Sequence, residues 1–194
     1  MAQQIILASN SPRRKELMGK LVKKFRIIPS EYEEDMTKKL QPVEMALEFS
    51  KGKAENVARR LKTGIVIGID TFVVYKNKKL GKPHTREKAK EMLKIISGKT
   101  VKVISGICLI NIDKKTIIQD IVETDVKMKK MDENEISEYV ATDEPLDKAG
   151  AFAMQELGGA FVERIDGCYS NVIGFPMNKI YTSLKKIGYD ALKK

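Results

Sequence analysis

The sequence has 194 residues, 42% hydrophobic and 32% charged. That suits a folded chain with one good core or one domain with two lobes, and no apolar run approaches the roughly 20 residues a bilayer span needs. The net charge of +10, from 36 basic against 26 acidic residues, favours a polyanionic partner, and a solvated lysine-rich surface accounts for most of it equally well. The single histidine, His84, and two cysteines exclude a zinc centre built from several histidines. With no Gly-x-Ser-x-Gly elbow, the remaining chemistry is that of carboxylates, lysines, arginines and a hard cation held by oxygen.

In chain order, residues 4–9 (QIILAS) predict a first strand. The first residues lack a basic n-region, so no signal peptide is expected. Ser11 is an N-cap candidate with Pro12 at the first helical position, opening a short helix over 12–21. Arg13 and Arg14 follow at once, adding two charges where backbone dipoles already place about half a positive unit. That is a poor choice for the fold alone and a sensible one if an anion is expected there. Residues 25–29 (FRIIP) predict a second strand and 30–35 (SEYEED) an acidic loop. Over 41–61, Val43, Ala46, Leu47, Ser50, Ala54, Val57, Ala58 and Leu61 recur at spacings of three and four, the mark of a long amphipathic helix.

Residues 64–75 (GIVIGIDTFVVY) form a continuous apolar run, the pattern of a strand buried on both faces. A turn and short return segment follow over 76–83, and Thr85 caps a helix to about residue 96. Residues 100–112 and 116–131 are β-rich and joined at Asp-Lys-Lys, predicting a twisted antiparallel hairpin. A helix over 132–141 begins with acidic residues, which suits its dipole. Residues 160–170 predict a strand and turn, 171–176 a helical turn closed by Gly174 and Pro176, and 177–187 a final helix. There is no linker and no repeat, so the pattern predicts one α/β domain over 1–194 with a mixed sheet flanked by helices.

The charge is spread as Lys-Lys pairs from 23–24 to 193–194, with no basic arm and no tryptophan. This weakens a nucleic-acid reading, which prefers a concentrated stripe with stacking aromatics. Cys108 and Cys168 have no CxxC spacing and read as buried thiols of a reducing cytoplasm.

Asp70 is the sharpest chemical signal. It interrupts an apolar strand expected to be central, and a lone buried carboxylate costs several kcal/mol unless paired or metal-bound. The alternative is a strand end emerging into solvent. Lys53 lies on the apolar stripe of its helix, where a snorkelling lysine is the simpler reading. Glu33 in the acidic loop and Lys82 in Gly-Lys-Pro are each weak alone. In 143–155 (DEPLDKAGAFAMQ), Ala149, Gly150 and Ala151 permit close backbone approach, and Gln155 can address a base edge with donor and acceptor. A tight turn into a buried strand fits that segment equally well.

The stretches ILASNSPRR, GIDTFVV, GKP before a helix, EPLDKAGAFAMQ and GCYSNVIGFP, in this order and spacing, resemble the Maf family of nucleoside triphosphate pyrophosphatases across nearly the whole chain. The resemblance implies a fold similar to that of ITP pyrophosphatases, two lobes around a cleft. The version DKAGAFAMQ…GCYSNVIGFP is similar to the subgroup acting on dTTP and UTP, not the one acting on 7-methyl-GTP.

Carried over by motif, the resemblance implies Asp70 as proton acceptor, and Ser9, Arg13, Arg14, Lys53, Thr71, Lys82 and Gln155 as substrate-binding residues. Thr71 and Gln155 would set base specificity, and Glu33 and Asp70 would hold Mg²⁺ or Mn²⁺. Three departures stand out: Ile69 replaces the usual Ala, Val101 stands where His is frequent, and Ala-Phe-Ala replaces Ala-Tyr-Gly before Gln155. The implied setting is cytoplasmic, with the triphosphate as partner, a second copy of the chain as one option, and no stable nucleic-acid complex. A rival from another class is a non-enzymatic regulator of cell division binding nucleotide, nucleic acid or protein through its basic surface.

Overall fold

The apolar run at 64–75 is strand β3 (Ile65–Tyr75), and the sheet is built around it. The computed structural model describes residues 3–35 and 37–192; the first two residues considered for a signal peptide and the lysine pair 193–194 lie outside them. β1 (Ile5–Leu7) pairs in parallel with both β2 (Phe25–Ile27) and β3, with Leu7 opposite Ile27 and Ile67. β4 (Lys78–Leu80) returns antiparallel along β3, with Leu80 opposite Val73. β5 (Thr100–Asn111) and β6 (Thr116–Met128) are neighbours joined by a short turn, which only an antiparallel pair permits. β7 (Val162–Asp166) closes the series antiparallel to β6. The sheet is therefore mixed, as predicted, in the order β2-β1-β3-β5-β6-β7 with β4 on β3.

The chain divides into two compact units, and β3, β5 and β6 each contribute to both. The first comprises Met1–Thr71, Ser105–Val122 and Gly174–Lys194. It carries α1 (Pro12–Leu21), α2 (Pro42–Ala58) and a C-terminal helix (Met177–Lys186). On one face of β3, Ile65, Ile67 and Ile69 pack with Ile5, Leu7, Met18, Phe175, Ile180 and Leu184. On the other, Val66 packs with Ile6, Ala54 and Val57 of α2. Each such side chain, fully buried, contributes about 1.5–3 kcal/mol. α2 ends three residues before the predicted 61, because Arg60 and Leu61 bond back three residues and tighten the chain into a turn.

α2 lies flush on the sheet because two strand positions lack side chains. A Cβ on Gly68 would meet the Ser50 carbonyl oxygen at 2.2 Å, and one on Gly106 the Ala46 carbonyl oxygen at 2.0 Å. These glycines bring the helix close enough for its inward lysine to reach β3.

The second unit comprises Phe72–Ile104 and Glu123–Ile173. It holds α3 (Arg86–Ile96) and α4 (Glu133–Ala141), packed with Val101, Val103, Val126 and Met128 of the strands. Thr85 caps α3 through the Lys88 amide, as predicted, and Asp132 with Glu135 forms a capping box on α4. Residues 143–155 hold two 3₁₀ turns, Glu144–Asp147 and Ala149–Ala151, and among the described residues no buried strand follows them. Gly150 has φ 73°, and a Cβ there would lie 2.8 Å from the Val73 side chain, so the small residues serve packing on β3. Among the described residues no helix is long and apolar enough to cross a membrane.

Candidate active site

The two arginines that open α1 have different surroundings. Ser11 caps the helix by accepting from the Arg14 amide, and Ser9 accepts from the Ser11 amide. The Arg14 guanidinium turns inward. Its Nε donates to the Gly174 carbonyl at 2.9 Å, Nη1 to the Ile69 carbonyl at 2.8 Å and to Ser9 Oγ at 3.4 Å, and Nη2 to Thr71 Oγ1 at 3.1 Å. Burial lowers its pKa from the usual arginine value, the Asp70 charge raises it and the Arg13 charge lowers it; an arginine stays protonated under such opposing influences. Arg13 is half-buried and its side chain makes no hydrogen bond or ion pair among the described residues. Of the pair expected to bind substrate, Arg13 alone has its donors open, and Arg14 is engaged by the protein itself.

Asp70 is 5% exposed, so it is a buried carboxylate and not an emerging strand end. Its Oδ1 accepts from the Lys53 ammonium at 2.5 Å, and Lys53 also pairs with Glu34 at 2.7 Å. The lysine does not snorkel: its side chain is only 17% exposed and lies between two carboxylates. Asp70 Oδ2 is buried without a hydrogen-bond partner among the described residues.

The acidic loop reaches Lys53 because its start is pinned to α2. Arg60 donates to the Pro29 carbonyl, Asn56 accepts from the Glu31 amide, and the Tyr32 ring occupies the space a Cβ on Gly52 would need. With Tyr32 turned onto the helix, the next side chain, Glu33, points to solvent, where it makes no ion pair among the described residues, and Glu34 comes back to Lys53. The acidic partner of Lys53 in the loop is thus Glu34, and Glu33, which the resemblance implies as a metal ligand, is its exposed neighbour. An acidic loop has no periodicity from which that choice could be read.

Thr71 Oγ1 hydrogen-bonds Ser105 Oγ at 2.8 Å as well as accepting from Arg14. Ser105 was not anticipated; a polar residue within the apolar stretch Val103–Ile110 was its signal. Lys82 and Gln155 belong to the second unit. Both are exposed, and neither makes a hydrogen bond or ion pair among the described residues. Lys82 lies on a loop clamped by two backbone bonds, from the Gly150 amide to the Gly81 carbonyl at 3.1 Å and from the His84 amide to the Leu146 carbonyl at 2.9 Å.

The sequence matches the family of Maf-like proteins over residues 4–187. The chain belongs to the Maf family. This Maf-like chain is 46% identical over 186 residues to the dTTP/UTP pyrophosphatase of Clostridium tetani, covering 94% of this chain and 97% of that one. It is 44% identical over 187 residues to the dTTP/UTP pyrophosphatase of Methanosarcina mazei, covering 96% and 95%. Among solved structures, the Staphylococcus aureus Ham1 protein is similar at a TM-score of 0.45 and 14% identity, over 65% of this chain and 72% of that one, a likeness too loose to build on.

A divalent cation suits the donor set of the site. Asp70 Oδ2 is an unsatisfied hard oxygen, and Glu34 adds a second carboxylate on the same ammonium. No group of three or more His, Cys, Asp or Glu side chains is placed to hold a metal among the described residues. Two protein carboxylates with the remaining ligands from phosphates and water is the usual Mg²⁺ arrangement in phosphoryl-transfer sites.

Proposed function

We propose that this Maf-family protein hydrolyses nucleoside triphosphates, dTTP and UTP foremost, to the monophosphate and pyrophosphate, in the cytoplasm and with Mg²⁺ or Mn²⁺. The observation that carries the reading is Asp70: a buried carboxylate held through one oxygen by Lys53, with the other oxygen unengaged. A purely structural ion pair has no use for that second oxygen. The same substrates appear in the names of the two relatives.

The roles follow from the side chains. Arg13 grips phosphate oxygens at two points, as its planar fork allows. Asp70, with Glu34, would hold the divalent cation, which when bound would offset phosphate charge and orient water. Lys53 fixes the Asp70 carboxylate through Oδ1, so that Oδ2 faces the attacking water. As the water oxygen bonds to the α-phosphorus, its proton passes to Asp70 Oδ2 and the bond from the α-phosphorus to the bridging oxygen breaks, releasing pyrophosphate. Lys82 stabilises the charge that develops on the leaving group. Gln155 reads the carbonyl–imide edge shared by uracil and thymine.

The test is pyrophosphate release from dTTP, UTP, CTP, ATP and GTP with Mg²⁺ or Mn²⁺, run on the wild type and on Asp70→Asn. Expected is a preference for dTTP and UTP, and a loss in Asp70→Asn of about 10² or more with the fold preserved. Release from none of the triphosphates, or an Asp70→Asn variant within a few fold of wild type, would overturn the reading.

A further inference from the structure

We infer that Arg14 is a positioning residue for the reaction: it holds the β3 main chain on both sides of Asp70 and does not bind the substrate's phosphates. This rests on the role proposed for Asp70. β1 pairs with β3 only as far as the bond from the Ala8 amide to the Ile67 carbonyl. In a parallel ladder the next β3 carbonyl on that edge belongs to Ile69, two residues on. The first strand has ended there, and the chain has turned through Ser9 and Asn10 toward α1. Arg14 Nη1 supplies the missing donor at 2.8 Å.

That carbonyl belongs to the peptide unit that carries the Asp70 nitrogen. On the other side of Asp70, Arg14 Nη2 holds the Thr71 hydroxyl, which is also bonded to the fully buried Ser105. The remaining bonds, to Ser9 and to the Gly174 carbonyl, fix the guanidinium itself. Four of its five N–H donors are thereby used within the protein. The adjacent Arg13, with open donors, is left to meet the anion. The Arg-Arg pair therefore divides the work: one arginine replaces a strand, the other meets the substrate.

The consequence is a separation of kinetic constants. Loss of Arg14 displaces the reacting carboxylate and lowers kcat, whereas loss of a phosphate ligand weakens binding and raises KM. The experiment measures dTTP hydrolysis by wild type, Arg14→Lys, Arg14→Ala and Arg13→Ala, with and without added guanidinium ion. Expected for both Arg14 variants is a kcat at least about tenfold lower with KM within about threefold of wild type. Guanidinium should restore several-fold of the lost kcat in Arg14→Ala and leave the wild type unchanged, an effect that general loosening of the fold does not produce. A KM raised about tenfold at unchanged kcat, or no change in either, would overturn the inference. If Arg14→Ala does not fold, Arg14→Lys carries the same comparison. If the wild type cleaves no triphosphate, the functional reading fails, and amide exchange of Asp70 in Arg14→Lys decides the positioning role: faster exchange upholds it, unchanged exchange ends it.

Discussion

Replacing Gly68 by alanine adds one methyl group two residues from Asp70, yet it should act mainly through α2. The new Cβ would stand 2.2 Å from the Ser50 carbonyl oxygen and 2.8 Å from the Ala54 nitrogen, where ordinary contact begins at 3.4 Å. Both are helix backbone, so no rotamer change relieves them; the helix must retreat by about 1.2 Å. Lys53 travels with it, and its 2.5 Å bond to Asp70 would stretch to about 3.7 Å, beyond hydrogen-bond length. Overpacking of this kind costs about 1–3 kcal/mol, or about 2–4 °C of melting temperature per kcal/mol for a chain of this size. A misplacement of about 1 Å lowers turnover by about 10². Pyrophosphate release and thermal denaturation measure both effects. Gly81→Ala, with nothing within 4 Å of the added Cβ among the described residues, is the control and should melt like wild type. A Gly68→Ala protein with turnover within twofold of wild type and unchanged melting would show that the close seating of α2 does not hold Lys53 in place.

Three further outcomes are expected. Glu34→Gln should weaken activation by Mg²⁺, read as a rise of about tenfold in the metal concentration giving half-maximal rate, while Glu33→Gln stays near wild type; equal effects would mean the loop rearranges when substrate binds. Gln155→Ala should lower dTTP and UTP efficiency by about ten- to a hundredfold, the scale of a hydrogen bond to the base lost from the complex, with other triphosphates little changed, while Arg13→Ala lowers all of them; a uniform loss in Gln155→Ala would remove it from base reading. Burial pushes the Cys108 thiol from 9.0 to about 12, so a thiol reagent at pH 8 should label Cys168 and spare Cys108 in the native protein. The folded state retains the Cys108 proton where the unfolded state loses it. The associated stability is therefore complete below pH 9 and disappears between pH 9 and about 12, which Cys108→Ala should abolish in a comparison of melting curves.

The strand and helix pattern was legible because local signals agreed: Ser11 and Pro12 opening α1, Thr85 opening α3, the unbroken apolar run of β3. Asp70 and Lys53 were visible as two separate anomalies, an acid in an apolar strand and a lysine on an apolar stripe. Their union required the glycines that seat α2, a tertiary fact. Arg13 and Arg14 are indistinguishable by type. Successive helix positions differ by about 100° of rotation, so which of them turns inward depends on how α1 sits over the end of β1. Glu33 and Glu34 differ by the same kind of local geometry, set by Tyr32 on Gly52. The small residues at 149–151 permit a close approach, but the surface approached, Val73, lies far away in the sequence.

The division of the chain into interleaved units has a bearing on biosynthesis. The first unit takes its core from the opening strand and from Phe175, Ile180, Leu184 and Ile187. A ribosome delivers the former early and the latter only after the whole second unit has been translated. Until then Ile5, Leu7, Ile65 and Ile67 lack the helix that covers them, and the apolar face of β3 stands open on the nascent chain. The second unit also needs two separated stretches, Phe72–Ile104 and Glu123–Ile173, but both are available sooner. Maturation should therefore begin in the interior of the sequence and end by docking its tail, with transient aggregation-prone surface concentrated on the parallel strands. Shortening the C-terminal helix would harm solubility during expression before it harmed anything measurable at Arg13 and Asp70.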